Sequence, residues 1–256
     1  MQHTEYNRGH RFLVYNSEAS HVFGFVPCHA LCHLKDLIMR LINVKTLRLE
    51  EFLDDNIPPY AILSHTWGND TEELTIRDVE LGEVDKPGVG SIKLRGCCKQ
   101  AEKEGLGYAW IDTCCIDKTN LVELSEAINS MFRWYSRASI CYAYLSDVPN
   151  NDEPWKPASK FQSSRWFSRV WTLQELLAPS SLRFYNSEWC SLGTKGHLSA
   201  IIEKVANIPR QFLLRIAELH NASVAQRMSW AASICHKDTT LEEVAESFRY
   251  VAQLPK

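Results

Sequence analysis

Four short apolar runs, separated by segments with a helical pattern, constrain the fold of this chain most strongly. The runs are Tyr60–Leu63, Tyr108–Ile111, Ile140–Leu145 and Leu182–Tyr185. Short continuous apolar runs are typical of strands that are buried on both faces. Strands that alternate with helices pair in parallel through right-handed crossovers, which place helices on both faces of the sheet. The sequence therefore predicts an α/β fold built around a parallel sheet.

The segments between and after these runs supply the helices. Ser91–Glu104 predicts one helix, which Gly105 ends, and Asn120 is a suitable cap for another. Ile76–Val79 predicts a short strand or turn. After Trp189 the helical pattern continues in Leu198–Ala206, Arg210–His220, Ser223–Ile234 and Leu241–Leu254.

Polar residues follow three of the runs. They are Ser64 and His65, Asp112 and Thr113, and Ser146 and Asp147. Loops are polar in general, so each pair taken alone is equally well explained by its place in a loop. Parallel α/β sheets bind ligands at the carboxyl ends of their strands. The convergence of the three pairs at one edge therefore predicts a pocket there.

The segment Ser164–Pro179 predicts a single amphipathic helix. Ser164 can cap its start, and Pro179 ends it because proline lacks an N–H. The apolar stripe consists of Phe167, Val170, Trp171 and Leu177. Glu175 continues the polar side, and its simplest interpretation is a solvated carboxylate on an exposed face.

The composition excludes several classes of protein. The chain has 256 residues, a formal net charge of -3 and 45% apolar residues, which is ordinary for a soluble globular protein. This balance argues against a nucleic-acid binder. No apolar run approaches the roughly 20 residues that span a bilayer, so no membrane span is predicted.

The cysteine and histidine residues do not show the spacing that is typical of a metal site. The adjacent pairs Cys97-Cys98 and Cys114-Cys115 indicate buried reduced thiols, and in a strand Cys114 and Cys115 would point to opposite faces. Residues 1–38 show no clean period and indicate either an appended leader, disordered in one interpretation, or an extension of the gene model. Their cluster Cys28–His33 resembles a metal knuckle but lacks a second ligand pair, so no metal site is predicted.

Four blocks between Tyr60 and Pro179 resemble the fungal heterokaryon-incompatibility (HET) domain. They are YAILSHTWG (Tyr60–Gly68), YAWIDTCCIDK (Tyr108–Lys118), SEAINSMFRWYSRASICYAYLSDV (Ser125–Val148) and RWFSRVWTLQELLAP (Arg165–Pro179). Val170 stands where the family usually has a glycine. MRLINVKTLRLEEF, from Met39, is similar to the usual start of such proteins, and SVAQRMSWAA (Ser223–Ala232) to the block after the core. We therefore place the HET core at 39–190 and a helical C-terminal extension at 191–256.

The resemblance implies both a fold and a function. The fold would be flavodoxin-like and distantly similar to TIR (Toll/interleukin receptor) domains, followed by C-terminal helices. The protein would act in fungal non-self recognition (allorecognition), which ends in programmed cell death. Its location would be the cytoplasm. Self-association and an incompatibility partner protein are implied as well.

The same resemblance implies an NAD-cleaving site. WTLQELL resembles the TIR helix that carries the catalytic glutamate of NAD-cleaving enzymes, and Glu175 falls on that glutamate. NAD would be the substrate, and no cofactor is required. The residues expected to contact NAD are Ser64, His65, Trp67, Gly68, Asp112 and Trp171. Trp67 could stack on a ring of NAD or pack in the core, and Asp112 could orient the pocket or cap a loop.

A single carboxylate is consistent with this chemistry. Nicotinamide leaves as a neutral group, so no general acid is needed, and the carboxylate stabilises an oxocarbenium-like ribose. One alternative is a non-catalytic, self-associating scaffold in which Glu175 is structural. Another is a cysteine enzyme that uses Cys114 or Cys115 with His65, although buried thiols are usually inert.

Overall fold

The computed structural model describes residues 38–53, 56–69, 71–169 and 171–234. Outside these ranges lie the predicted leader up to residue 37, with its cluster Cys28–His33, and the amphipathic segment Leu241–Leu254. Val170 also lies outside them.

A seven-stranded mixed sheet forms the centre of the described chain. Its strands are β1 (Ile38–Asn43), β2 (Leu49–Leu53), β3 (Tyr60–His65), β4 (Tyr108–Trp110), β5 (Ile140–Tyr144), β6 (Leu182–Tyr185) and β7 (Ser191–Thr194). Their order across the sheet is β2-β1-β4-β3-β5-β6-β7. The four predicted strands are β4, β3, β5 and β6, and they pair in parallel. The prediction of an α/β fold is therefore confirmed.

The prediction of a wholly parallel sheet is wrong at both edges. β1 pairs antiparallel with β2 and β4, and β7 pairs antiparallel with β6. β2 and β7 contain no fully buried residue. In half-exposed edge strands, apolar residues alternate with polar ones and do not form continuous apolar runs. A search for such runs therefore does not find these strands.

Eight α-helices surround the sheet in the described ranges. They are α1 (Ile76–Glu80), α2 (Val89–Lys103), α3 (Asp112–Cys115), α4 (Leu121–Arg137), α5 (Thr172–Leu177), α6 (Ser199–Ala206), α7 (Arg210–Leu213) and α8 (Val224–Ile234). α2 connects β3 to β4, and α4 connects β4 back across the sheet to β5. Right-handed crossovers in opposite directions place α2 and α4 on opposite faces. None of the helices in these ranges has the length and apolarity to cross a membrane.

Capping residues start two of the helices, α1 and α4. Asn120 caps α4 by accepting from the backbone N–H groups of Val122 and Glu123. Ile76–Val79 is helical, not a strand or turn, because Thr75 and Asp78 form a capping box. α7 ends at Leu213, well before the predicted end at His220.

Cys114 and Cys115 lie on α3, not in a strand as predicted. The described thiols are unpaired, and Cys190 is the exposed one among them. Burial raises the pKa of Cys114 to about 12 and also raises the pKa of Cys115 well above its usual value. Both thiols are therefore protonated at neutral pH, which argues against the cysteine-enzyme alternative.

The predicted single helix over Ser164–Pro179 is wrong. Arg165–Ser168 forms a 3-10 turn, which Ser164 caps by accepting from the Trp166 N–H at 3.3 Å. Arg169 is extended, and α5 begins only at Thr172. All residues of α5 are buried, because α4, α7 and α8 pack around it. Glu175 is therefore not on an exposed face.

Candidate functional site

Glu175 and Ser64 meet at the carboxyl end of β3. The Ser64 hydroxyl donates to Glu175 Oε2 at 2.7 Å, and Trp166 Nε1 donates to Ser64 Oγ at 2.7 Å. Ser64 is fully buried and Glu175 is 3% exposed. Because Trp166 occupies an acceptor position of the serine oxygen, the serine proton is directed to the carboxylate.

Arg169 forms an ion pair with Glu175 through both guanidinium nitrogens. Nη1 lies 3.1 Å from Oε2, and Nη2 lies 3.3 Å from Oε1. Such bidentate pairs fix the orientation of a carboxylate as well as its charge. Burial raises the pKa of Glu175, although Arg169 and Ser64 oppose the shift by stabilising the charged form.

His65 and Asp112 form a second group on the other side of β3, since successive strand residues face opposite ways. His65 Nε2 lies 3.3 Å from Asp112 Oδ1, without hydrogen-bond geometry. Neither ring nitrogen of His65 has a hydrogen-bond partner among the described residues, and both are buried. Burial lowers the pKa of His65 to about 3, against the attraction of Asp112. His65 is therefore neutral, with its polar ring atoms unsatisfied.

Asp112 connects this second group to the solvent-facing residues of the site. Trp67 Nε1 donates to Asp112 Oδ2 at 2.8 Å. Burial disfavours the charged form of Asp112, but the positive charges of Lys118 and Arg169 and the hydrogen bond from Trp67 oppose this effect, and the pKa of Asp112 is lowered. Trp67 is 47% exposed, and Lys118 Nζ lies 3.5 Å from its ring centroid. Trp67 thus lies at the surface of the site and not in the core.

The loop after β3 is held close to α2. The Gly68 N–H donates to Glu73 Oε1 at 2.6 Å, and a Cβ at Gly68 would lie 3.1 Å from Val89 Cγ1. The buried Lys93 pairs with Glu73 and donates to the Thr66 carbonyl at 2.9 Å. This ion pair fixes the loop that carries Trp67.

The structure therefore brings the predicted residues to one edge of the sheet in two groups. Ser64 and Glu175 form the first group with Arg169, and His65, Asp112 and Trp67 form the second. Gly68 lies beside the second group, and Trp171 precedes α5 and is half-buried. The charges of the groups interact, since Asp112 raises the pKa of Glu175.

Several residues of the site were not predicted. Arg169, Trp166 and Lys118 contact predicted residues directly. Arg169 and Glu175 are six positions apart and would not face each other on one helix. Only the break between the 3-10 turn and α5 allows them to pair. Asp147, at the end of a predicted strand, instead accepts from Ser164 Oγ at 2.7 Å and so holds this turn in place.

The fold and the site define an α/β protein with a buried carboxylate at the carboxyl ends of its parallel strands. Comparison with known families is specific: residues 60–153 match the family model described as heterokaryon incompatibility protein (HET). The chain is also 47% identical over 193 residues to the vegetative incompatibility protein HET-E-1 of Podospora anserina. This chain belongs to the HET domain family. The alignment covers 73% of this chain but only 14% of the length of HET-E-1. No solved structure matches the chain significantly.

Proposed function

We propose that this chain acts in vegetative incompatibility, and that it does so by cleaving NAD at the Glu175 site. Its similarity to HET-E-1, whose name states that role, supports the first part. The buried Ser64–Glu175–Arg169 group supports the second. The proposal includes a cytoplasmic location, self-association and an incompatibility partner protein, with programmed cell death as the outcome.

The order of the parallel strands supports a TIR-like, flavodoxin-like fold. Across the sheet it is β4-β3-β5-β6, so the first parallel strand of the chain lies between the second and the third. This is the flavodoxin-like order, in which ligands bind where the chain reverses its direction across the sheet. Ser64 and His65 end β3, the strand at that point.

The first group is suited to stabilise positive charge on a ribose. Departure of neutral nicotinamide leaves an oxocarbenium-like sugar, which an adjacent carboxylate stabilises electrostatically. Arg169 and Ser64 favour the charged form of Glu175 despite its burial. The Ser64 hydroxyl is the contact that a ribose hydroxyl can replace, while Arg169 keeps the carboxylate in place.

The second group is suited to bind the rest of the dinucleotide. Trp67 exposes half of its ring system for stacking, and Lys118 beside it supplies positive charge for a phosphate. His65 lies beside Asp112 in this group, and its buried ring nitrogens have no hydrogen-bond partner among the described residues. NAD would therefore lie across the end of β3.

The test is NAD loss and nicotinamide release by the full chain, concentrated to favour assembly, beside Glu175→Gln. The matched control is Glu104→Gln, which removes a partly exposed carboxylate paired with Arg183. We expect Glu175→Gln to lose cleavage while it remains folded, and the control to keep it. Equal cleavage by Glu175→Gln and the original chain would remove Glu175 from catalysis.

A scaffold function is the second candidate, and one observation favours it. Both oxygens of Glu175 already have hydrogen-bond partners, as in a purely structural ion pair. In that case neither the original chain nor Glu175→Gln would cleave NAD, even in an enforced oligomer. Both proteins would still self-associate.

A further inference from the structure

A cavity of about 240 Å³ lies at the opposite end of the parallel strands from Glu175. It is lined by the turn before β6, the end of β7 and the segment after α7. β6 begins at Leu182, whereas β3 reaches the Glu175 site at its last residues. Since β3 and β6 run in the same direction, the cavity lies at the amino ends of the parallel strands. It is smaller than the roughly 300–1,000 Å³ of typical ligand pockets, so its ligand is smaller than a dinucleotide.

Two cationic side chains line this cavity, and no carboxylate of the described residues lines it. Lys195 and Arg215 are both lining residues, and none of the other lining residues is acidic. Among the residues that the structure describes, neither cation has an acidic partner. Lys195 is 4% exposed, and burial, reinforced by repulsion from Arg215, lowers its pKa to about 8. An anion in the cavity would remove this unfavourable arrangement.

The ammonium group of Lys195 is held in a fixed position, and the backbone of Arg215 is set by the end of α7. Lys195 Nζ donates to the carbonyl oxygens of Leu176 at 3.0 Å and Pro179 at 2.7 Å. An ammonium group has three N–H donors, so one remains for a ligand. Arg215 has a φ of +56°, the left-handed conformation that commonly ends a helix. It follows the C-cap residue of α7, where the Ile216 N–H donates to the Gln211 carbonyl at 2.8 Å.

We propose that this cavity binds a phosphate group, either as free phosphate or as the monoester of a small sugar. Arg215 supplies a planar guanidinium that can bind two phosphate oxygens, and Lys195 supplies a point charge. Ser180, Ser181 and Thr194 add hydroxyl groups around the cavity. This site is separate from the NAD site and does not depend on it.

Binding at this cavity would also reach α5. Lys195 holds the carbonyl oxygen of Leu176, the residue after Glu175. A phosphate that accepts the third N–H would therefore bind the same ammonium group that holds the end of the helix carrying Glu175. The carboxyl and amino ends of the parallel strands are thus connected through the short helix α5.

The experiment titrates the full chain with inorganic phosphate and, separately, with ribose 5-phosphate, at constant ionic strength set by chloride. Calorimetry measures the dissociation constant, and NMR of ¹⁵N-labelled lysine follows the Lys195 ammonium. We expect saturable binding and a rise of the Lys195 pKa from about 8 towards the usual lysine value. Tighter binding of ribose 5-phosphate would identify a sugar phosphate, and tighter binding of inorganic phosphate would identify the free ion.

Arg215→Gln is the test variant, because Arg215 is exposed and its loss leaves the contacts of Lys195 intact. We expect the dissociation constant to rise about tenfold, since a charge-assisted hydrogen bond is lost. The control Lys204→Gln removes an exposed cation on α6 outside the cavity and should leave it unchanged. The proposal is overturned by absence of saturable binding, by equal weakening in both variants, or by phosphate binding that leaves the Lys195 signal unmoved.

Discussion

The two groups at the end of β3 differ in how completely their polar atoms are paired. In the Ser64–Glu175–Arg169 group, both oxygens of a buried carboxylate have partners. In the His65–Asp112–Trp67 group, a buried imidazole has no hydrogen bond to any residue that the structure describes, and a tryptophan lies half in solvent. The difference indicates that the first group is preorganised around one charge, whereas the second contains buried polar atoms whose hydrogen-bonding capacity is unused.

The largest expected effect is on stability, from breaking the ion pair of the first group. Arg169→Met leaves Glu175 buried without its cation, so the free energy of unfolding at neutral pH should fall by about 4 kcal/mol. Because protonation neutralises Glu175, the loss should shrink as the pH is lowered. Urea unfolding at several pH values measures both. Arg165→Met, at a side chain 67% exposed, is the control and should cost well under about 1 kcal/mol. Equal losses in the two variants would contradict the comparison.

The second group should show its own pH dependence through His65. Its pKa is about 3 in the folded chain and near 6.5 when unfolded, so between these values the unfolded chain binds more protons. The free energy of unfolding should therefore fall with decreasing pH, by about 2 kcal/mol at pH 5. His65→Gln should lose this component, whereas His220→Gln, at an exposed site, should retain it. Superimposable pH curves for the original chain and His65→Gln would refute the assignment.

A smaller effect tests whether the two groups are energetically separate. Ser64→Ala removes the hydrogen bond to Glu175 and leaves Trp166 Nε1 without its acceptor, so it should cost about 1.5 kcal/mol. In double-mutant cycles, the variant should couple strongly to Glu175→Gln and weakly to Asp112→Asn. Comparable coupling to both would mean that the site is one network.

The smallest effect is expected at the exposed end of the second group. Lys118→Gln removes the cation over the Trp67 ring and should lower the free energy of unfolding by only about 0.5 kcal/mol. If Lys118 and Trp67 form the binding surface for NAD, the same variant should raise the KM for NAD more than it lowers kcat. Fluorescence-detected unfolding and steady-state kinetics separate the two contributions. A change in kcat alone would argue against a binding role for Lys118.

Much of the fold could be predicted because several local signals coincide with their tertiary surroundings. Tyr60–Leu63 is continuously apolar because β3 lies in the middle of the sheet and is buried on both faces. Asn120 begins α4 because its side chain satisfies backbone N–H groups at the helix start. β2 and β7 were missed because edge strands bury only part of their surface. α3 was missed because its four residues are too few to show a helical period.

The sequence by itself determined the four parallel strands, the main helices and the family, since each depends on residues that are close together in the chain. The environment of Glu175 was decided only by the tertiary structure. Helical periodicity assumes one buried face, but α5 is enclosed by α4, α7 and α8. The extended backbone at Arg169 then turns its guanidinium onto Glu175. A pattern predicts which face of a helix is polar, whereas the packing around that helix decides whether the polar face meets water or a partner.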